Sequence, residues 1–331
     1  MIDKQLPQLN RTNECYAENE FYSLNKVIGF GSKNNFSITK NELNGLIAWI
    51  SGPYIIFYDI ATDSQVFFLK NINNKIISCI QFSTEGRLFA TGEGNCKNGE
   101  ICLYDIFYDG KKNNHTLLLS YNAHKYGIDK LLFFRNDKYL LSIGNSEDKL
   151  INIMDIANKQ IIYTSLFNIN ILGADISDDF VAICGNNFVL LYEFNFDLSN
   201  NNSNSNNDLL IKRPVDLSKL KGKSFIYVSV YINKSRKKVS KIFFLTEDCY
   251  LVEMKPDNLV LIRWIHLKAN IGYNLTIWEN KIGCGCSDGI YRIFNTEDLN
   301  HIQTLHKPPP LGPDNTKANN KGNRRDKYYR I

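Results

Sequence analysis

Apolar residues gather in short runs along this chain, and polar turn residues divide them. GLIAWISGPYIIFYDI, IISCIQFSTEGRLFATGEG, GIDKLLFFRNDKYLLSIGN, KLINIMDI and DDFVAICGNNFVLLYEF are all rich in Ile, Val, Phe and Tyr and are split by Gly, Asn and Asp. Such runs predict short β-strands joined by tight turns. No stretch keeps a helical period for three turns, so the chain reads as all-β.

The strands repeat. Six of them end in a bulky residue followed by a polar one: Tyr58-Asp59, Tyr104-Asp105, Met154-Asp155, Tyr192-Glu193, Val252-Glu253 and Phe294-Asn295. The intervals are 46, 50, 38, 60 and 42 residues. A four-stranded WD-type propeller blade spans about 40–45 residues. The 60-residue interval holds SNNNSNSNND, residues 199–208. That tract has too little apolar surface to order and reads as a disordered, looped-out insertion near residues 199–210. The expected architecture is an all-β WD-repeat β-propeller with blades over residues 25–306. Six blade-like units are recognisable where seven are expected, which leaves the ring incomplete.

A polar N-terminal arm, residues 1–24, and a basic flexible tail or truncated linker, residues 307–331, flank the blades. The arm's CYAENEFYSL segment is apolar enough for one closing strand but not for four. Propellers protect their edges by closing, so an open ring is expected to leave the first and last blades poorly packed and the chain prone to associate.

Blade three is the clearest copy. Ala123-His124 stands 30 residues before Met154-Asp155, with Ser142 and Asp148 between them. In such blades His, Ser and Asp form a buried hydrogen-bonded chain that ends on a Trp. Met154 stands at the Trp position, so the chain is expected to stop at Ser142. A catalytic His-Ser-Asp set would need an exposed serine in a concave pocket. The structural role is favoured. No Trp-Asp dipeptide occurs anywhere in the chain.

Composition narrows the class. Of 331 residues, 44% are apolar and 22% charged, which suits a globular chain. No apolar run reaches the roughly 18 residues of a membrane span, and the first twenty residues are too polar for a signal peptide. A soluble, intracellular protein is expected. From Lys307 onward, seven basic residues face Asp314 and Asp326, which accounts for the whole net charge of +5. Residues 1–306 are neutral, so a nucleic-acid footprint is not expected. The eight cysteines read as reduced core residues, and Cys284-Gly285-Cys286 lacks a partner pair for zinc. TGEG (91–94) and GCGCSDG (283–289) read as turns between strands that lead into no phosphate-binding helix. No catalytic residue, metal, cofactor or small-molecule substrate is expected.

Several blocks resemble one family. AHKYGI (123–128) and LLSIGNSEDKLINIMDI (140–156), then RWIHLK (263–268), GCGCSDGIYRIF (283–294) and HKPPPLGPD (306–314), are similar to repeats of the mitogen-activated protein kinase-binding WD-repeat scaffolds. VIGFGSKNNFSITKNELNGLIAW (27–49) and FATGEG (89–94) fit the first two repeats. The resemblance implies a non-catalytic scaffold of the cytoplasm, at the cytoskeleton, centrosome or spindle pole, that gathers stress-activated kinases. The alternative is a microtubule- or axoneme-associated structural propeller without kinase binding. Family members are much longer, with a second propeller and a C-terminal region that carries kinase docking.

The candidate partner contacts are basic. NKSRKKVSK (233–241) reads as a hairpin tip on which Lys234, Arg236, Lys237, Lys238 and Lys241 could meet an acidic surface such as a tubulin tail, although a solvated turn is the ordinary explanation and is favoured. Lys111-Lys112 before Leu117 and Leu119 looks like a kinase docking peptide, but TLLLSY also reads as a strand with buried leucines. Lys212-Arg213 with Leu217 and Leu220 is a looser version, placed on the exposed insertion. The tail's mix of basic and aromatic residues reads as a linker rather than an RNA-binding segment. The expected partners are other proteins, kinases or microtubule and centrosomal proteins, and no membrane.

Overall fold

A computed structural model describes residues 26–31, 36–94, 97–196, 209–217, 220–233 and 238–306. Within them, strands pair in chain order into six four-stranded antiparallel sheets, each one blade. Blade 1 holds β1 (Ile38–Lys40), β2 (Leu46–Ser51), β3 (Tyr54–Asp59) and β4 (Ser64–Lys70). Blade 2 holds β5 (Ile77–Phe82), β6 (Leu88–Glu93), β7 (Gly99–Tyr108) and β8 (Asn113–His124). Blade 3 holds β9 (Ile128–Phe134), β10 (Tyr139–Gly144), β11 (Leu150–Asp155) and β12 (Gln160–Leu166). Blade 4 holds β13 (Ile171–Ile176), β14 (Phe180–Gly185), β15 (Phe188–Phe194) and β16 (Leu210–Pro214). Blade 5 holds β17 (Phe225–Asn233), β18 (Lys238–Thr246), β19 (Tyr250–Lys255) and β20 (Val260–His266). Blade 6 holds β21 (Gly272–Trp278), β22 (Lys281–Cys286), β23 (Tyr291–Asn295) and β24 (His301–Leu305).

All six bulky-polar pairs lie on the third strand of their blade. The reason is local. In three of the pairs the polar residue caps the turn that follows: Asp59 accepts from Ala61 N at 2.8 Å, Asp155 from Asn158 N at 3.0 Å and Asn295 from Glu297 N at 2.8 Å. The turns themselves use residues that tolerate a left-handed backbone: Asn74, Asn98, Asp137 and Asn187 all have φ between 51° and 66°.

The core is divided among the spaces between blades. Phe57, Phe67, Phe82 and Phe89 cluster between blades 1 and 2, with ring centroids 4.1–6.1 Å apart. Leu103 and Leu131 pack between blades 2 and 3, and Ile153 and Val181 between blades 3 and 4. Phe225 and Phe244 fill the space between blades 4 and 5, and Leu251 and Cys284 that between blades 5 and 6. Among the described residues no cluster joins blade 6 to blade 1. The seam is open.

Residues 26–31 are held against blade 1, where Gly31 N donates to Ile50 O at 3.0 Å. Val27 exchanges two hydrogen bonds with the Gln65 side chain, at 2.9 and 2.8 Å, and Trp49 Nε1 donates to Gly29 O at 3.2 Å. Ile28 and Phe30 on the same stretch remain exposed. The arm ahead of them, the tail after residue 306 and the tract 197–208 lie outside the described residues.

Two expectations about local structure are corrected. TLLLSY is a strand, within β8, but its leucines are not all buried. Leu117 is 41% and Leu118 38% exposed, because β8 is the outer strand of its blade, while Leu119 is partly buried. Most of TGEG and GCGC lie in β6 and β22 rather than in turns. Their glycines are needed for close packing: a Cβ on Gly283 would overlap the Tyr291 phenol, and one on Gly92 would press on Cys79 Sγ at 2.7 Å.

Candidate functional site

The hydrogen-bonded chain of blade 3 is built from four strands and a turn. His124, the last residue of β8, enters the space beside β10. Its Nδ1 lies 2.5 Å from Asp148 Oδ2 and its Nε2 2.9 Å from Ser142 Oγ. Asp148 also accepts from Lys125 N at 2.8 Å. A neutral imidazole satisfies all of these when Nδ1–H donates to the carboxylate and Nε2 accepts from the serine hydroxyl. Desolvation holds His124 below its ordinary pKa, which favours that neutral form.

The chain does not stop at Ser142. Asn152, directly opposite Ser142 across β10 and β11, donates to Ala123 O at 2.8 Å and stands 3.4 Å from His124 Nε2. Thr164 of β12 donates to Asn152 Oδ1 at 2.7 Å. The network therefore reaches the outer strand of its own blade through an amide rather than an indole. Asn152 was detectable only from cross-strand register. The side chains of His124 and Asp148 are 0% and 1% exposed, and Ser142 is 1% exposed. Ser142 is thus buried, and the set links β8 of blade 2 to blade 3 by hydrogen bonds.

A second constellation brings residues of four blades together. Phe36, just before β1, stacks on Tyr227 of β17 with centroids 5.9 Å apart and planes at 6°. Lys130 lies over the Phe36 ring, 4.8 Å from its centroid. Its ammonium donates to the carbonyls of Ile171 at 3.3 Å and Leu172 at 2.8 Å. Burial lowers the pKa of Lys130. Phe36 and Lys130 line a cavity of about 680 Å³ together with Asp129, Asn170, Asn186 and Glu247 among others. Neighbouring blades are also stitched by Asp175 of β13, which accepts from Val230 N of β17 at 2.7 Å.

The basic candidates are scattered. Lys234, Arg236 and Lys237 lie outside the described residues, and Lys238 opens β18 opposite Asn233. Lys241 is not a free tip residue. Its ammonium donates to Thr296 O at 2.7 Å and pairs with Glu253, which is 1% exposed, at 3.2 Å. Lys212 and Arg213 belong to β16 rather than to the insertion, and Arg213 pairs with Glu193 at 2.9 Å. Leu217 and Leu220, the other half of that docking pattern, are buried between blades 4 and 5. Strand burial overrode the linear motif.

Among the described residues no group of three or more His, Cys, Asp or Glu is placed to hold a metal ion. The six described cysteines have free, buried thiols. No helix is long and apolar enough to cross a membrane.

No family model matches the chain. WD repeat-containing protein 62 of Sus scrofa is 27% identical over 295 residues, covering 88% of this chain and 18% of that protein. The fold is a WD-repeat β-propeller. Mitogen-activated protein kinase-binding protein 1 of Mus musculus is 23% identical over 294 residues, 88% of this chain and 19% of that protein. Cilia- and flagella-associated protein 52 of Chlamydomonas reinhardtii is 28% identical over 149 residues, 44% of this chain and 23% of its own length. The first two are the scaffolds that the sequence blocks resemble. This chain spans less than a fifth of the length of either.

Proposed function

We propose that the chain is a non-catalytic platform for protein–protein interaction, soluble in the cytoplasm. The observation that carries this reading is similarity to WD-repeat scaffolds along 88% of the chain. It is supported by the sealing of the blade 3 histidine, aspartate and serine inside the fold. On this reading the partners are proteins rather than small molecules, and no cofactor takes part.

The finer assignment is to kinase signalling and spindle-pole or centrosome organisation. Its support is the resemblance and the kinase-binding name of the mouse relative. A second reading, a structural propeller of microtubules or axonemes without kinase binding, is supported by the algal flagellar relative. Lys212, Arg213 and the 234–238 cluster are the proposed basic contacts in either case.

Proximity labelling of the full chain in dividing and ciliated cells separates the two. Kinases enriched over tubulin and axonemal proteins support the first reading, and the opposite ratio supports the second. Labelling indistinguishable from a diffusing control would sink both.

A further inference from the structure

Outer strands of propeller blades leave one backbone edge unpaired, and proteins protect such edges with charge, proline or a covering side chain. Here β4 ends in Lys70, and its Val66 carbonyl accepts from Asn113 at 3.3 Å. The edge of β8 is covered where Lys159 donates to Leu118 O at 3.4 Å. Lys212 and Arg213 lie on β16 and Arg263 on β20, and β24 is only five residues long. Strand β12, with the sequence QIIYTSL, has seven residues and, among the described residues, no such device.

The register shows which β12 groups are available. Phe167 N donates to Lys149 O at 2.7 Å. Antiparallel pairs alternate, so Ser165 and Tyr163 bond inward to Ile151 and Ile153. The N–H and C=O groups of Leu166 and Thr164 then point away from β11. Leu166 is 60% and Ile162 42% exposed beside them.

A groove of about 740 Å³ runs along this edge. Tyr163, Ser165 and Phe167 form its blade 3 wall, and Leu190, Tyr192 and Lys212 stand on the blade 4 side. Lys212 is the one charged residue lining it, and among the described residues its ammonium has no ion pair. A strand added to β12 would present alternate side chains to blade 4, at the positions opposite Tyr163 and Ser165. There an apolar side chain meets Tyr192 and Phe167, and a carboxylate meets Lys212.

We propose that β12 is a docking edge for an extended peptide of a partner protein, bound by strand addition and carrying an acidic side chain toward blade 4. The proposal rests on the platform reading and names the chemistry of one partner.

The test uses a displayed library of random heptapeptides panned against the full chain. Three variants serve as controls, each checked by thermal melting. Leu166→Pro removes an outward N–H without touching a β11 hydrogen bond. Ile162→Lys adds an edge charge and stands in if the proline variant does not fold. Lys212→Glu reverses the groove's charge. The expected result is enrichment of β-branched, acidic peptides whose binding falls at least tenfold in Leu166→Pro or Ile162→Lys. Lys212→Glu should turn the preference to basic peptides. Enriched peptides indifferent to all three variants would overturn the β12 assignment while leaving the platform reading intact. Absence of enrichment also overturns it, and proximity labelling then judges the platform reading on its own. Wild-type dimerisation in sedimentation that Leu166→Pro abolishes would make the occupant a second copy of the chain instead.

Discussion

Replacing His124 by Ala tests whether the blade 3 network acts as one unit. The substitution removes the Nδ1–H partner of Asp148, leaving that buried carboxylate with only Lys125 N at 2.8 Å. It also removes the acceptor of the Ser142 hydroxyl and empties the space of an imidazole. Losing a charge-assisted hydrogen bond costs about 1.5–3 kcal/mol, and an orphaned hydroxyl about 1–2 more. With a cavity term of about 1 kcal/mol, the total is about 3.5–6 kcal/mol. That is a large part of a typical domain stability of about 5–15 kcal/mol. Ser142→Ala should cost only about 1 kcal/mol, since the Asn152 amide, 3.4 Å from Nε2, remains to donate. In the double variant the serine penalty is already absent, so the two effects should fall short of additivity by about 1 kcal/mol. Urea denaturation followed by far-UV circular dichroism measures the energies, and hydrogen exchange over residues 113–166 locates them. Additivity within about 0.3–0.5 kcal/mol, or equal losses for both single variants, would refute the network. The pH profile adds a sign. Desolvation keeps the folded pKa of His124 below its ordinary value, so the unfolded chain takes the proton first. This contribution is complete above about pH 6.5 and is lost as pH falls toward the folded value. His124→Ala should lack that acid limb.

Burial pushes Asp175 up to about 6, so the folded chain keeps a proton that the unfolded chain has already released. The contribution of Asp175 should be complete below about pH 4 and fall by up to about 3 kcal/mol as pH rises through 6. Asp175→Asn should flatten that slope in urea midpoints, and parallel profiles would refute the burial argument. Gly283→Ala should lower stability by about 2–3 kcal/mol through overlap with the Tyr291 ring, with Tyr291→Leu in the same chain recovering half. Equal thermal melts for Gly283→Ala and wild type would show that blade 6 relaxes freely. Lys241→Ala should cost about 3 kcal/mol by leaving buried Glu253 to Arg263 alone. A loss below about 0.5 kcal/mol would place this pair in the class of solvated surface bridges.

Short apolar runs divided by turn residues determined the all-β class, and the six bulky-polar pairs gave the blade repeat, each pair falling on the third strand of its blade. Both signals are local, because strand length and turn chemistry are written in neighbouring residues. His124, Ser142 and Asp148 were legible for a related reason: their spacing follows the strand and turn lengths of one blade. Contacts set by register and by approach between blades left no linear trace. Asn152 joins the network because it lies opposite Ser142, and Phe36 reaches Tyr227 from 191 residues away only because the fold brings them together. The linear docking pattern around Lys212 failed for the complementary reason. Burial between blades 4 and 5 claimed Leu217 and Leu220, and the strand pairing of β15 with β16 turned Lys212 into the groove. Which backbone edge stays open was likewise decided in three dimensions, since protection of an edge depends on side chains that arrive from another blade.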